Sequence, residues 1–188
     1  PGATGDRLYG LPFLRDIYLK AEPQMTGRVT VPILWDKERE TIVSNESAEI
    51  IRMFNSAFDG LTGDRQDFFP QDARPEIEAV NARVYPGLNN GVYRSGFATT
   101  QEAYDEAVAE VFETLDWMEE RLSRQRYLAG DRITEADWRA LPTLLRFDPV
   151  YHGHFKCNRA RIVDYPNIFA YARELYQVEG VAATVNLD

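Results

Sequence analysis

The chain has 188 residues, of which 44% are hydrophobic and 27% charged, the balance of a folded globular protein with room for one sizeable core or two small ones. Its formal charge is −9, and no stretch of Lys or Arg is dense enough to follow a phosphate backbone, which argues against a nucleic-acid partner. A single cysteine excludes an intrachain disulfide framework, and no apolar run has the length of a membrane-spanning helix, so a cytoplasmic, reducing setting without membrane contact is expected.

The opening "PGATGDRLYG" has no initiator Met and no apolar leader, and reads as the interior of a longer protein. In "GRVTVPILWD" the β-branched run over 29–34 predicts a strand, and after the charged turn "DKERE" a second strand over 41–43 completes a hairpin. Pro32 sits inside the first of these and, lacking an N–H, belongs at an edge or where the chain turns to receive a ligand. Asn45 is a suitable cap for a helix carrying the apolar stripe Ile50, Ile51, Phe54 and Phe58. The Gly, Pro and Asp-rich segment over 57–75 reads as a linker, which places a boundary near residue 65 between a small α/β part and a helical remainder.

Helical spacing resumes over 76–90, with Pro86 predicting a kink or an end. Thr99 with Glu102 predicts a capping box for a long helix whose face runs through Tyr104, Ala107, Val108, Val111, Phe112, Leu115, Met118 and Leu122. "YLAGDRITEADW" predicts a second box from Thr134 and Asp137, with Trp138, Leu141, Leu144 and Leu145 turned inward. A last helix is expected over 166–177.

Three clusters carry chemistry. At "SNES" a helix N-terminus, the Glu46 carboxylate and the Ser47 hydroxyl fall together, a combination suited to an α-amino acid group, although the same residues also simply open a helix. In "YPGLNNGVYRSGF" the residues Asn89, Asn90 and Gly91 disfavour a regular helix and leave Tyr93 and Arg94 near an irregular turn, where polar aromatics could orient a ring. In "RFDPVYHGHFKCN" the residues Asp148, Tyr151, His152, His154 and Cys157 crowd together. Their spacing matches no recognised zinc set, so no metal is expected. Lys156 and Arg159 would favour a thiolate at Cys157, yet a buried structural cysteine is the better reading, since Cys157 is remote in sequence from the hairpin. Hydrolase triads, dinucleotide and phosphate loops and zinc-protease motifs are missing.

Taken together, "VTVPILWD", "TIVSNESAEIIRMFN", "LNNGVYRSGFA", "YLAGDRITEADWR" and "RFDPVYHGHFKCN" resemble the glutathionyl-hydroquinone reductases, the xi class of glutathione transferases, across nearly the whole chain. "TEADW" alone is a moderate signal, whereas "SNESAEIIRMFN", "NNGVYR" and "VYHGHFKCN" are specific. The resemblance implies an α/β thioredoxin-like domain, incomplete at its start, in residues 1–64, and an all-α glutathione-transferase C-terminal domain, incomplete at its end, in 65–188, with the active site in the cleft between them. It implies glutathione as substrate and reductant, and an aromatic glutathionyl-hydroquinone as the partner substrate. It implies that Arg28, Val31, Pro32, Glu46 and Ser47 bind glutathione, Pro32 as a cis-proline and Val31 pairing strand-fashion with the cysteinyl backbone. Tyr93 and Tyr151 would hydrogen-bond the hydroquinone, with Arg94 a weaker substrate contact, and a homodimer through the helical half is implied. The family's "CPWAH"-like nucleophile segment is not in these residues and is expected upstream; a later tyrosine-bearing stretch is also not among them. An electrophile-conjugating transferase and a non-catalytic binding or scaffold protein are the alternative readings.

Overall fold

The computed structural model describes residues 4–186; the opening at Pro1 and the closing Leu187 and Asp188 lie outside the described residues. The chain divides into two compact units, Pro1–Gln66 and Asp67–Asp188.

In the first unit Asp6 folds the opening turn by accepting the N–H groups of Leu8, Tyr9 and Leu11 at 2.8, 3.1 and 3.1 Å. Helix α1 (Leu14–Ala21) follows, with Phe13 N–H donating to Asp16 at 3.1 Å. Strands β1 (Leu34–Asp36) and β2 (Thr41–Ser44) form an antiparallel pair in which Trp35 faces Ile42 and Asp36 faces Thr41, with an irregularity between Leu34 and Trp35. Asp36 closes the hairpin by accepting the Glu38 and Arg39 N–H groups, each at 2.9 Å. Helix α2 (Ser47–Phe54) leads to the short α3 (Asp59–Thr62).

The first strand is therefore shorter and later than the β-branched run predicts. Residues 29–33 are not in the sheet, because the Thr30 carbonyl accepts the Tyr18 hydroxyl at 2.8 Å, the Thr30 N–H donates to that hydroxyl at 3.3 Å, and Pro32 has no N–H to give. Asn45 does not cap α2. Its amide donates to the Tyr18 hydroxyl at 3.1 Å and to Thr30 Oγ1 at 3.3 Å, and Glu46 takes the cap position instead. Ser44 braces that start, its hydroxyl accepting Glu46 N–H at 3.1 Å and donating to Glu49 at 2.8 Å. Of the expected α2 stripe Ile50 is buried, whereas Phe54 and Phe58 lean on each other at 5.6 Å and remain exposed.

The second unit is helical. Helix α4 (Arg74–Val84) runs through a π-helical turn (Tyr85–Asn89) into α5 (Gly91–Gly96), so the predicted break at Pro86 is a widened turn within one continuing helical run. The long α6 (Gln101–Leu122) is opened by Thr100, one residue after the expected cap, whose hydroxyl accepts Ala103 N–H at 3.2 Å. Helix α7 (Glu135–Arg146) passes through a second π turn (Phe147–Tyr151) into α8 (His152–His154). After a 3₁₀ turn (Ile162–Asp164), α9 (Pro166–Tyr176) and a 3₁₀ turn (Ala182–Thr184) complete the unit.

Its core joins Ile77, Val80, Val84, Leu88 and Val92 of the α4–α5 run to Val111, Leu115 and Met118 of α6, Ala140 and Leu144 of α7, and Ile168 and Leu175 of α9. The first π turn approaches α6 so closely that a Cβ on Gly87 would stand 2.1 Å from Thr114 Oγ1. Buried Asp137 ties the middle together, accepting from Leu128, Thr134 and Tyr171.

Candidate active site

The predicted site residues fall on both units, and each group is assembled by contacts remote in sequence. In the first unit Arg28, Val31, Pro32, Glu46 and Ser47 are all exposed, Val31 to 73%. The Tyr18 hydroxyl, with Tyr18 itself buried, binds Thr30 on one side and Asn45 on the other. This knot draws the Val31–Pro32 segment to the Glu46–Ser47 helix start, and the Val31–Pro32 peptide is cis. Tyr18, Thr30 and Asn45 went unrecognised in the sequence as the brace of this cluster; the tyrosine's placement on an amphipathic turn gives no hint of a partner 27 residues away. An exposed carboxylate and hydroxyl beside the first turn of α2 can receive an ammonium and a carboxylate together.

In the second unit the Tyr93 and Tyr151 hydroxyls are 3.1 Å apart and their rings meet edge-on at 5.7 Å. Tyr151 is 3% exposed and Tyr93 42%, so one phenol is set into the protein and the other faces out. Phe155 stacks on Tyr151 at 5.3 Å and 29°, and Phe97 approaches Phe155 at 5.3 Å and Tyr93 at 6.2 Å. Four rings thus surround two hydroxyls. Such a patch suits an aromatic ligand bearing oxygen substituents, offering ring faces and polar tips together. Gly96 makes the packing possible, since a Cβ there would stand 2.2 Å from the Phe155 ring. Phe97 and Phe155 complete the patch without being singled out by the sequence; both lie in the quoted motifs without any spacing that pairs them.

Burial pushes the Tyr151 phenol up to about 12, aided by its hydrogen bond with Tyr93 and opposed by Arg146. Arg94 points elsewhere. It bonds Glu110 at 2.5 Å and lies 3.7 Å from Glu106, both on α6. Asn89 likewise turns inward, donating to the Arg139 carbonyl and the Thr143 hydroxyl at 3.0 and 2.7 Å.

Cys157 is fully buried, and burial raises its thiol to about 11, far from the depressed value a nucleophile needs. Its N–H donates to the Tyr151 carbonyl at 3.1 Å, closing the turn after α8. Asp148 is occupied by the Ile162 and Val163 N–H groups at 2.6 and 3.3 Å. Among the described residues no three His, Cys, Asp or Glu side chains gather as metal ligands.

Comparison with known proteins interprets this arrangement. The family model described as glutathione S-transferase, C-terminal domain, matches residues 101–174. Glutathionyl-hydroquinone reductase YqjG of Escherichia coli is 57% identical over 188 residues, all of this chain and 57% of that protein. PcpF of Sphingobium chlorophenolicum, also a glutathionyl-hydroquinone reductase, is 57% identical over 182 residues, 97% of this chain and 58% of its own. Throughout its length the chain is similar to xi-class glutathione transferases. A xi-class enzyme from Natrialba magadii superposes with a TM-score of 0.95 at 49% identity, over 100% of this chain and 57% of that one. The glutathione-bound structure of YqjG gives the same TM-score, covering 99% of this chain and 61% of YqjG. The chain therefore spans somewhat more than half the length of these relatives. The second unit is their all-α C-terminal domain, and the hairpin with its following helix is part of their thioredoxin-like domain.

Proposed function

We propose that this chain is the greater part of a glutathione-dependent reductase that converts glutathionyl-hydroquinones to hydroquinones. The observation that carries the reading is the hydrogen-bonded pair Tyr93 and Tyr151 within a four-ring patch, on a chain 57% identical to two glutathionyl-hydroquinone reductases. In this reading Glu46 pairs with the ammonium of the γ-glutamyl end of glutathione and Ser47 hydrogen-bonds its carboxylate. Val31 meets the cysteinyl backbone beside Pro32, and Arg28 contributes a cation. Tyr93 and Tyr151 hold the ring oxygens while Phe97 and Phe155 cover the ring.

The reaction breaks one carbon–sulfur bond and makes one disulfide. A thiolate attacks the glutathionyl sulfur; the ring carbon leaves with the bonding pair, takes a proton and becomes the hydroquinone, while the two sulfurs form a mixed disulfide. The thiolate of a second glutathione then attacks the glutathionyl sulfur of the mixed disulfide and expels the cysteine thiolate, giving oxidised glutathione and regenerating the attacking thiol. The net change oxidises two glutathione sulfurs and reduces the ring carbon. Cys157, buried with its thiol raised to about 11, is not that attacking group, so the thiolate belongs to a cysteine outside these 188 residues. The phenols stabilise charge as the carbon–sulfur bond breaks. A homodimer through the helical unit and a cytoplasmic location complete the reading; among the described residues no helix is long and apolar enough to cross a membrane.

The test is turnover of a glutathionyl-hydroquinone by the full-length protein. Tyr93→Phe and Tyr151→Phe are expected to lose turnover by more than they lose glutathione affinity, and Glu46→Ala to weaken glutathione binding. Parental turnover in both tyrosine variants rejects the phenol pair, and unchanged affinity in Glu46→Ala rejects the amino-group contact. Conjugation of electrophiles without hydroquinone release would instead mark an ordinary transferase.

A further inference from the structure

Phe155 touches each of the other three rings of the patch, Tyr93 at 5.5 Å, Phe97 at 5.3 Å and Tyr151 at 5.3 Å, yet it stands outside any helix. Helix α8 ends at His154, and Phe155 opens the turn that leads away from it. Its stack on Tyr151 therefore depends on how that turn is fixed. Lys156, the next residue, has a φ of +58°, in the left-handed region that glycine enters freely and a residue with a Cβ enters only at a cost. Such a backbone persists where its surroundings over-determine it.

The turn is held both locally and from a distance. Locally, Lys156 N–H donates to the Gly153 carbonyl at 3.4 Å, Cys157 N–H to the Tyr151 carbonyl at 3.1 Å and Asn158 N–H to the Lys156 carbonyl at 2.8 Å. From 52 residues away, the Tyr104 hydroxyl near the start of α6 donates to the same Lys156 carbonyl at 2.6 Å. The backbone bonds tie the turn to itself and to the segment just before it; Tyr104 ties it to another helix. Gly96 of α5 packs so tightly on the Phe155 ring that a Cβ there would stand 2.2 Å from it, so a small shift of the turn must press the ring on α5 or lift it off Tyr151.

We propose that Tyr104 is a positioning residue for the ring-binding patch: its hydroxyl, by holding the Lys156 carbonyl, keeps the left-handed turn closed and Phe155 stacked on Tyr151, and so tunes how well the site takes an aromatic ring. This rests on the aromatic-site reading above and adds to it a residue that acts on the ring half of the substrate through Lys156 and Phe155. Tyr104→Phe keeps the shape of the side chain and removes only the strut. Lys156→Gly removes the need for the strut, since glycine holds a positive φ unaided. The two substitutions are therefore coupled, and a double-mutant cycle reads the coupling.

The test is steady-state kinetics of the full-length protein on the glutathione thioether of benzene-1,4-diol. In a double-displacement reaction kcat/KM for the thioether reports the first half, in which the ring is bound, and kcat/KM for glutathione reports the second, after the ring has left. Tyr104→Phe is expected to lower the first about three- to tenfold, the worth of one hydrogen bond of ordinary net strength, and to leave the second within about twofold of the parent. A loss of folded protein lowers both alike. In a Lys156→Gly background the same substitution should lower the first by less than about twofold. Circular dichroism confirms that the variants fold. A parental constant for the thioether in Tyr104→Phe, an equal loss in both constants, or a loss undiminished in the Lys156→Gly background overturns the role of Tyr104 and leaves the aromatic site standing. A parent that does not turn over the thioether removes the reductase reading and the role of Tyr104 with it.

Discussion

Asp137 offers the sharpest stability test, because every acceptor site it has is used inside the core. Its Oδ1 accepts Leu128 N–H at 2.9 Å and the Tyr171 hydroxyl at 2.7 Å, and its Oδ2 accepts the Thr134 N–H and hydroxyl at 2.7 and 3.0 Å. One side chain thus fixes the start of α7, the loop before it and the flank of α9. Asp137→Ala removes the cap, worth about 1 kcal/mol, and strands three buried donor groups at about 1–3 kcal/mol each before relaxation. Burial raises the Asp137 carboxyl despite its four donors, so part of the loss is returned when that costly charge is deleted. The expected net destabilisation is about 3–5 kcal/mol, or a fall in Tm of roughly 6–20 °C at about 2–4 °C per kcal/mol. Urea unfolding followed by Trp117 and Trp138 fluorescence and by far-UV circular dichroism reads it.

Asp137→Asn keeps the shape but turns an NH₂ toward donors, so it should cost at least half as much. The pH dependence carries a definite sign. The folded carboxyl has a pKa above its unfolded value near 3.8, so between that value and the raised one the folded chain holds a proton the unfolded chain has lost. Stability contributed by this group therefore falls as pH rises through that window, and Asp137→Asn should flatten that part of the profile. An Asp137→Ala variant within about 1 kcal/mol of the parent would refute the reasoning.

Three further outcomes can be checked. With its thiol raised to about 11, Cys157 is thiolate in about one molecule in a thousand at pH 8; a disulfide reagent should titrate it only after unfolding, and a full thiol count in the native protein would contradict this. Gly96→Ala drives a methyl into the Phe155 ring, so it should cost about 1–3 kcal/mol and weaken binding of aromatic ligands; parental stability and binding would mean that Phe155 yields freely. Asn45→Ala cuts the link from residue 45 to Tyr18 and Thr30 and should lower glutathione affinity several-fold, as calorimetry with glutathione can show, and unchanged affinity would separate the brace from the site.

What could be seen in the sequence was what local chemistry decides. The α6 and α7 faces, the Thr134 and Asp137 pairing and the start of α9 depend on residues three or four apart, and the structure places them close to where their spacing does. The first strand did not follow its β propensity, since the hydroxyl of Tyr18, twelve residues away, takes the backbone of Thr30. Between Thr99 and Thr100 nothing local chooses; the second has the extended backbone and receives the Ala103 N–H. The phenol pair joins residues 58 apart, and Arg94, adjacent to Tyr93 in sequence, is turned to Glu106 and Glu110 on α6. No spacing rule contains that information, and motif resemblance supplied the tyrosines without supplying their neighbours.

The two π turns connect these levels. Each contains a proline, Pro86 or Pro149, which has no N–H for the α ladder. A widened turn absorbs the missing bond without ending the helix: Asn90 N–H reaches back to the Tyr85 carbonyl at 2.8 Å. It also corrects the phase. A step of four residues overshoots an α turn of 3.6, so the buried series Val84, Leu88 and Val92 would drift off the core in a regular helix; the wider turn takes up the excess and sets α5 with Tyr93 at the patch. The second π turn does the same for Phe147 and Tyr151, both buried. The residues that disfavour a regular helix at these two places are therefore the ones that put the two phenols within reach of one another.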